Sequence, residues 1–178
     1  MKYLFILLLI TFINTNQASA QVFNSSSSYA SIGYGLGYGF GAASLTNSSV
    51  SNLGPICFSY EYALNDNIGL GVNISYSSTK YDYVDLYEER YTRLGILARG
   101  AYHFDILRDV DLYSGIGIGF LSYNFTNSVY DDYDYNFGTP FGYSVFAGAR
   151  YFFSDAIGAY AEVGYGISVI NAGIVFGF

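Results

Sequence analysis

Three observations predict an all-β chain that folds as an eight-stranded antiparallel up-and-down transmembrane β-barrel. Large and small residues alternate with a period of two through eight successive segments, the mark of strands with two different faces. Aromatic residues make up 20% of the chain and charged residues only 12%, about half the usual quarter for a globular domain. Surface normally given to Lys and Glu must therefore face something apolar. The sequence closes on Asn171 to Phe178, an apolar strand with Ala172, Ile174, Phe176 and Phe178 on one face. In a closed barrel such a strand pairs with the first one and its aromatics meet the bilayer; in water the same edge invites aggregation.

The segments justify this in order. Met1-Lys2 supplies a short positive region, Tyr3 to Ile13 an apolar run, and Ala18-Ser19-Ala20 a small-residue cleavage site. Together they predict a secretory signal peptide over residues 1–20 and an exported barrel domain over residues 21–178. The run breaks at Asn14-Thr15-Asn16, short of the roughly 18 apolar residues that a helical anchor needs. The first strand sets Ile32, Tyr34, Leu36, Tyr38 and Phe40 against Gly33, Gly35, Gly37 and Gly39. The second sets Ile56, Phe58, Tyr60 and Tyr62 against Cys57, Ser59 and Glu61; the third sets Ile68, Leu70, Val72, Ile74 and Tyr76 against Gly69, Gly71, Asn73 and Ser75. In the fourth, Leu94, Ile96, Ala98, Gly100, Tyr102 and Phe104 oppose Arg93, Gly95, Leu97, Arg99, Ala101 and His103, so the second face now carries charge. The fifth spans about Asp111 to Tyr123, with Ile116, Ile118 and Phe120 alternating with glycines. Phe141 to Phe153 sets Tyr143, Val145 and Tyr151 against Ser144, Gly148 and Arg150, Ile157 to Tyr165 sets Val163 against Tyr160 and Glu162, and Asn171 to Phe178 is the eighth.

Connections alternate as an up-and-down barrel requires. Asn65-Asp66-Asn67, Asp105 to Val110 and Ser154-Asp155-Ala156 are tight turns, whereas Ala42 to Asn52, Ser77 to Arg90 and Asn124 to Thr139 are expected to be long loops. Short turns belong on the periplasmic side of an outer membrane and long loops outside. Tyr62, Tyr76, Tyr102, Phe104, Tyr151 and Phe153 then fall at strand ends, where interfacial aromatic girdles sit.

With the leader, the eight alternating strands, Arg99-Gly100-Ala101-Tyr102-His103-Phe104-Asp105, Tyr160-Ala161-Glu162-Val163-Gly164-Tyr165-Gly166 and Phe178, the chain resembles the outer-membrane protein beta-barrel domain family of small OmpA/OmpX-type, porin-like barrels. The resemblance covers essentially the whole mature chain and implies residence in the bacterial outer membrane, with lipid as the surrounding partner. It also implies that Phe178, with Phe176 and Ile174, forms part of the signal read by the barrel assembly machinery.

Inside such a barrel four charges fall at comparable distance from the short turns: Glu61, Arg99, Arg150 and Glu162. Buried charge without a partner costs several kcal/mol, so two acids and two bases in a narrow lumen are expected to pair as a plug. The functional alternative is a gate or proton path. An eight-stranded interior is just wide enough for side chains to fill it. Its glycines are either covered by Tyr113, Tyr123, Phe146 and Tyr160, or they leave a small wet cavity.

Outside, Lys80 to Tyr91 and Tyr130 to Tyr135 are acidic and Tyr-rich. They read as solvated loop tips or as a contact surface, with Tyr83, Tyr87, Tyr133 and Tyr135 as the aromatic contacts for an extracellular protein and the carboxylates as attractors of basic partners or divalent cations. Asp131, Asp132 and Asp134 lack EF-hand spacing. A pI near 4.3 without a basic patch argues against nucleic acid. The single Cys57 excludes an intrachain disulfide. His103, the one histidine, is expected to be an interfacial or lumen-facing structural residue, because no zinc ligand set or triad assembles around it. The sequence therefore predicts a monomeric, non-enzymatic barrel without cofactor or metal, serving a structural or surface-interaction role. Two other readings stand beside it: a narrow channel for small solutes, and a soluble exported lipocalin-type carrier with the two faces inverted.

Overall fold

A computed structural model describes residues 23–36, 48–83, 87–104, 106–107, 110–127, 135–137 and 141–178. The expected signal peptide and the alternation at Gly37 to Gly41 lie outside these residues. Among the described residues nine strands follow one another: β1 (Ser28–Leu36), β2 (Ser48–Ala63), β3 (Ile68–Tyr83), β4 (Tyr87–Phe104), β5 (Val110–Asn127), β6 (Tyr135–Phe137), β7 (Phe141–Phe152), β8 (Ile157–Tyr165) and β9 (Ile170–Gly177). All pairings are antiparallel between neighbours in sequence, apart from a β5–β7 pairing that passes over β6, and β9 returns to pair with β1 from Tyr29↔Gly177 to Leu36↔Ile170. Eight strands thus close a barrel, and the three-residue β6 adds a short rung to the outer end of β5. Closure leaves every spanning strand with a partner on both sides, which is what hydrocarbon demands of backbone N–H and C=O groups.

Register converts the period of two into an outward belt. Ile32 pairs with Phe58, Phe58 with Ile74, Ile74 with Ile96, Ile96 with Phe120 and Phe120 with Phe141. These side chains stand exposed, from Ile74 at 40% to Phe141 at 71%. An apolar band continuous around the molecule exceeds anything a water-soluble surface tolerates, and lipid is the solvent that suits it. The six aromatics expected at strand ends are outward and exposed. The opposite faces turn inward, with Leu97, Glu61, Asn73, Arg99 and Val175 all buried. Apolar outside and charged inside is the reverse of what a lipocalin-type carrier needs.

The glycines of the inner face are mostly covered by side chains. Tyr160 lies over Gly33, Phe146 over Gly115 and Tyr113 over Gly148, where a Cβ would meet the Tyr113 ring at 2.7 Å. At these positions only glycine leaves room for the aromatic that fills the lumen.

All three of the expected long loops are corrected by the structure. β3 and β4 continue to a last rung at Tyr83↔Tyr87, so Ser77 to Arg90 is a paired hairpin with only residues 84–86 between its strands. β2 begins at Ser48 and β5 continues to Asn127, so Ala42 to Asn52 and Asn124 to Thr139 also give residues to strands. Charge density suggested a loop at Ser77 to Arg90, but Tyr and Thr favour strands and the alternation persists. Lys80 and Glu88 form a 2.7 Å pair diagonally across the hairpin, and Lys80 also lies 3.9 Å from Asp82. This cation sits beside the rung on which Asp82 directly opposes Glu88.

Candidate functional site

Five strands aim charged side chains into the lumen near the short-turn end: β2 brings Glu61, β4 Arg99 and His103, β5 Asp111, β7 Arg150 and β8 Glu162. Arg150 Nη2 donates to Glu61 Oε1 at 2.6 Å and Nη1 to Asp111 Oδ2 at 3.4 Å. Arg99 Nη2 donates to Glu162 Oε1 at 2.7 Å, and its Nε lies 3.7 Å from Glu61 Oε2. Tyr113 adds an O–H donated to Glu162 Oε1 at 2.9 Å. The four residues picked out by the sequence therefore lie together, as two close pairs joined through the Arg99–Glu61 approach.

The guanidinium planes rest on rings. Arg99 lies 4.0 Å from the centre of Phe146, and Arg150 lies between Tyr113 at 4.5 Å and Tyr29 at 5.0 Å. A weakly hydrated, planar cation on an aromatic face keeps part of its electrostatic stabilisation after losing water. Together with bonds to the carboxylates, this offsets the several kcal/mol that each buried ion costs.

His103 and Asp111 belong to the same network and were not picked out by sequence as members of it. His103 faces the lumen, one of the two placements expected for it: Nδ1 shares a 2.7 Å hydrogen bond with Asp111 Oδ1, and Nε2 lies 3.2 Å from Glu61 Oε1. The signal was available, since His103 is four residues beyond Arg99 on the same face and Asp111 two before the inward Tyr113. A His–Asp pair is half of a hydrolytic triad. Here, however, the second ring nitrogen faces a carboxylate where a triad would place its nucleophile.

Ahead of β1 the chain folds across this mouth. Phe23, 3% exposed, stacks flat on the His103 ring with centres 3.5 Å apart and planes 5° apart. Ser25 N–H donates to Asp66 Oδ1 at 2.9 Å and Ser26 N–H to Ala63 C=O at 3.1 Å, tying the segment to the β2–β3 turn. Nothing in the sequence patterning marked Phe23.

At the other end the hairpin and its neighbours carry the strands past the apolar band. Outward positions turn polar after Tyr76 on β3 and before Leu94 on β4. The inner side of this projecting sheet is aromatic: Tyr81 meets Tyr91 edge-on at 5.9 Å and Tyr91 packs on Phe125 at 4.8 Å. Arg93 crosses the lumen to donate to Gly166 C=O. Of the expected contact residues, Tyr83 and Tyr87 form the last backbone rung and Tyr135 pairs with Phe125. Tyr133, with Asp131, Asp132 and Asp134, lies outside the described residues. Among the described residues no group of His, Cys, Asp or Glu is arranged to hold a metal ion.

The outer membrane protein beta-barrel domain profile matches residues 5–173. The chain belongs to this family. Among solved structures, the attachment invasion locus protein Ail of Yersinia pestis is similar, with a TM-score of 0.53 at 16% identity over 86% of this chain and 99% of Ail. Ail in complex with the heparin analogue sucrose octasulfate gives 0.54 at 17% identity over 86% and 99%. Outer Membrane Protein W of E. coli gives 0.51 at 16% identity over 88% and 98%. Likeness at this identity is a likeness of fold. No curated protein matches the sequence. As an outer membrane protein beta-barrel domain, the chain resides in the bacterial outer membrane with its apolar belt against lipid.

Proposed function

We propose that this barrel is a non-conducting, non-catalytic outer-membrane protein whose lumen is plugged by ion pairs and whose projecting strands form an extracellular contact surface. The observation that carries this reading is the linked set Glu61–Arg150–Asp111–His103 and Arg99–Glu162, which spans the bore between five strands. Ions can pass only where this network yields, and Phe23 covers it from the periplasmic side. The contact surface is the sheet beyond the membrane, polar outside and aromatic within, fitted to an extracellular protein with basic groups by the excess of acids over bases in Lys80 to Tyr91 and Tyr130 to Tyr135. The sucrose octasulfate of the Ail complex is a polyanion, and the acidic excess of these segments disfavours that chemistry here. In this reading the protein works as a monomer, and Ile174, Phe176 and Phe178, all outward and exposed on or just beyond β9, serve as the assembly signal.

The narrow-channel reading is separated by conductance in planar bilayers. The plugged barrel gives no steady current above the lipid background. A steady current altered by Glu162→Gln would replace the plug with a gate.

A further inference from the structure

The short turns on the periplasmic side differ in chemistry. Asn65 Oδ1 closes the β2–β3 turn by accepting from the backbone N–H groups of Asn67 and Ile68, both at 2.9 Å. In the β7–β8 turn Ser154 Oγ accepts from Ile157 N–H at 3.1 Å. Asn65, Asp66 and Asp155 stand exposed there, polar tips suited to water. The β4–β5 turn instead exposes Ile106 at 69% and Leu107 at 50%.

An apolar tip left in water is unfavourable in proportion to its area. What covers this one follows from what it joins. Outward on β4, the rings of Tyr102 and Phe104 meet edge to face at 5.1 Å, and Ile106 N–H donates to Phe104 C=O at 2.9 Å. Every second residue of this run, Tyr102, Phe104 and Ile106, is apolar and exposed. The strand end is held in place, because His103 N–H donates to Asn67 C=O at 2.7 Å and Asn67 Nδ2 to His103 C=O at 3.0 Å. The lipid belt thus leads directly into the apolar tip.

Height identifies the partner. From Leu94 to Phe104 the strand rises about 25 Å, at about 3.3 Å per residue and a tilt of about 40°, which is the full height of the apolar band of such barrels. Ile106 and Leu107 then fall just beyond the hydrocarbon edge, at the boundary of headgroups and acyl chains where the apolar side chains of interfacial segments bind.

We propose that the β4–β5 turn is a membrane anchor, binding the phospholipid surface of the periplasmic leaflet through Ile106 and Leu107 while the β2–β3 and β7–β8 turns stay in water. It fixes the depth of the barrel on one side, the side below the projecting β3–β4 hairpin. The anchor does not depend on whether the barrel conducts.

The test is NMR on the full mature protein in nanodiscs of phosphatidylcholine and phosphatidylglycerol, read at the methyl groups of Ile106 and Leu107 against that of Ala156 in the β7–β8 turn. A lipid carrying a nitroxide near the carbonyl end of its acyl chain is expected to broaden the Ile106 and Leu107 signals at least about threefold more than that of Ala156, and a soluble gadolinium chelate to do the reverse. Equal broadening of all three by the chelate overturns the proposal, because the turn then stands in water. A second measurement uses Leu107→Cys, the native Cys57 being buried. A small water-soluble maleimide is expected to label it more slowly than Asp155→Cys, in nanodiscs and in cells alike. Fast labelling in nanodiscs with protection in cells overturns the proposal as well, and makes a periplasmic protein the cover.

Discussion

Arg150 holds more of the lumen together than any other side chain described. One guanidinium bonds Glu61 and Asp111, carboxylates from β2 and β5, while resting on rings from β1 and β5. Removing it leaves two buried carboxylates short of a partner, and breaking such a pair costs roughly 3–5 kcal/mol. Arg150→Leu is therefore expected to lower unfolding stability by about that amount in urea titrations of the refolded barrel. Glu61→Gln added to Arg150→Leu should recover part of the loss, because it removes one of the stranded charges. A loss in the double variant equal to the sum of the losses in Arg150→Leu and Glu61→Gln alone would mean the groups are not coupled. The four-residue core of this network was legible in the sequence, since alternation fixes the face and distance from a turn fixes the depth. Asp111 and His103 were not singled out because each sits beside a turn, where a polar residue has an ordinary solvated explanation. Phe23 was illegible for a different reason: it precedes the first strand, and no periodicity reaches it.

At the scale of the strand, β4 shows where lipid ends. Its outward face reads Tyr102, Gly100, Ala98, Ile96, Leu94, Thr92 and Arg90 from the periplasmic end, apolar to Leu94 and polar after it. Arginine on a lipid-facing strand costs about 2–4 kcal/mol at the bilayer midplane and about 0–1 near the interface. Ile96→Arg should accordingly reduce stability severalfold more than Thr92→Arg, measured by the same unfolding titration in phospholipid. Similar penalties at both sites would place the bilayer boundary higher on the barrel. The hairpin that rises above it was expected to be a loop because charge and length both pointed that way. What decided for strand is pairing already in register: once Ile74 faces Ile96, each further rung to Tyr83↔Tyr87 adds backbone bonds without a new loop closure.

For the whole molecule, the class of fold was the most legible feature, because it depends on eight repetitions of one pattern and survives errors in any one of them. Its closure makes a direct prediction. The refolded protein should migrate faster unheated than boiled in detergent gels, since a closed antiparallel barrel resists unfolding until heated. Deleting Phe178 should reduce the amount of this fast band in the outer-membrane fraction of cells while in-vitro refolding persists. Loss of refolding as well would make Phe178, whose backbone N–H and C=O both bond Ser28, a structural closure and not an assembly signal.

The strands are unequal in length, and the inequality is one-sided. β3 has 16 residues and β4 has 18, while β8 has nine and β9 eight, all starting or ending near the same periplasmic level. At about 3.3 Å per residue, and allowing for tilt, the tall side clears the short side by roughly 20 Å. Between these described strands the outer edge is cut aslant like a quill. Among the described strands the β3–β4 crest stands above the Gly166 turn, so a large molecule such as an antibody or a protease arriving from outside meets that crest before it meets the turn.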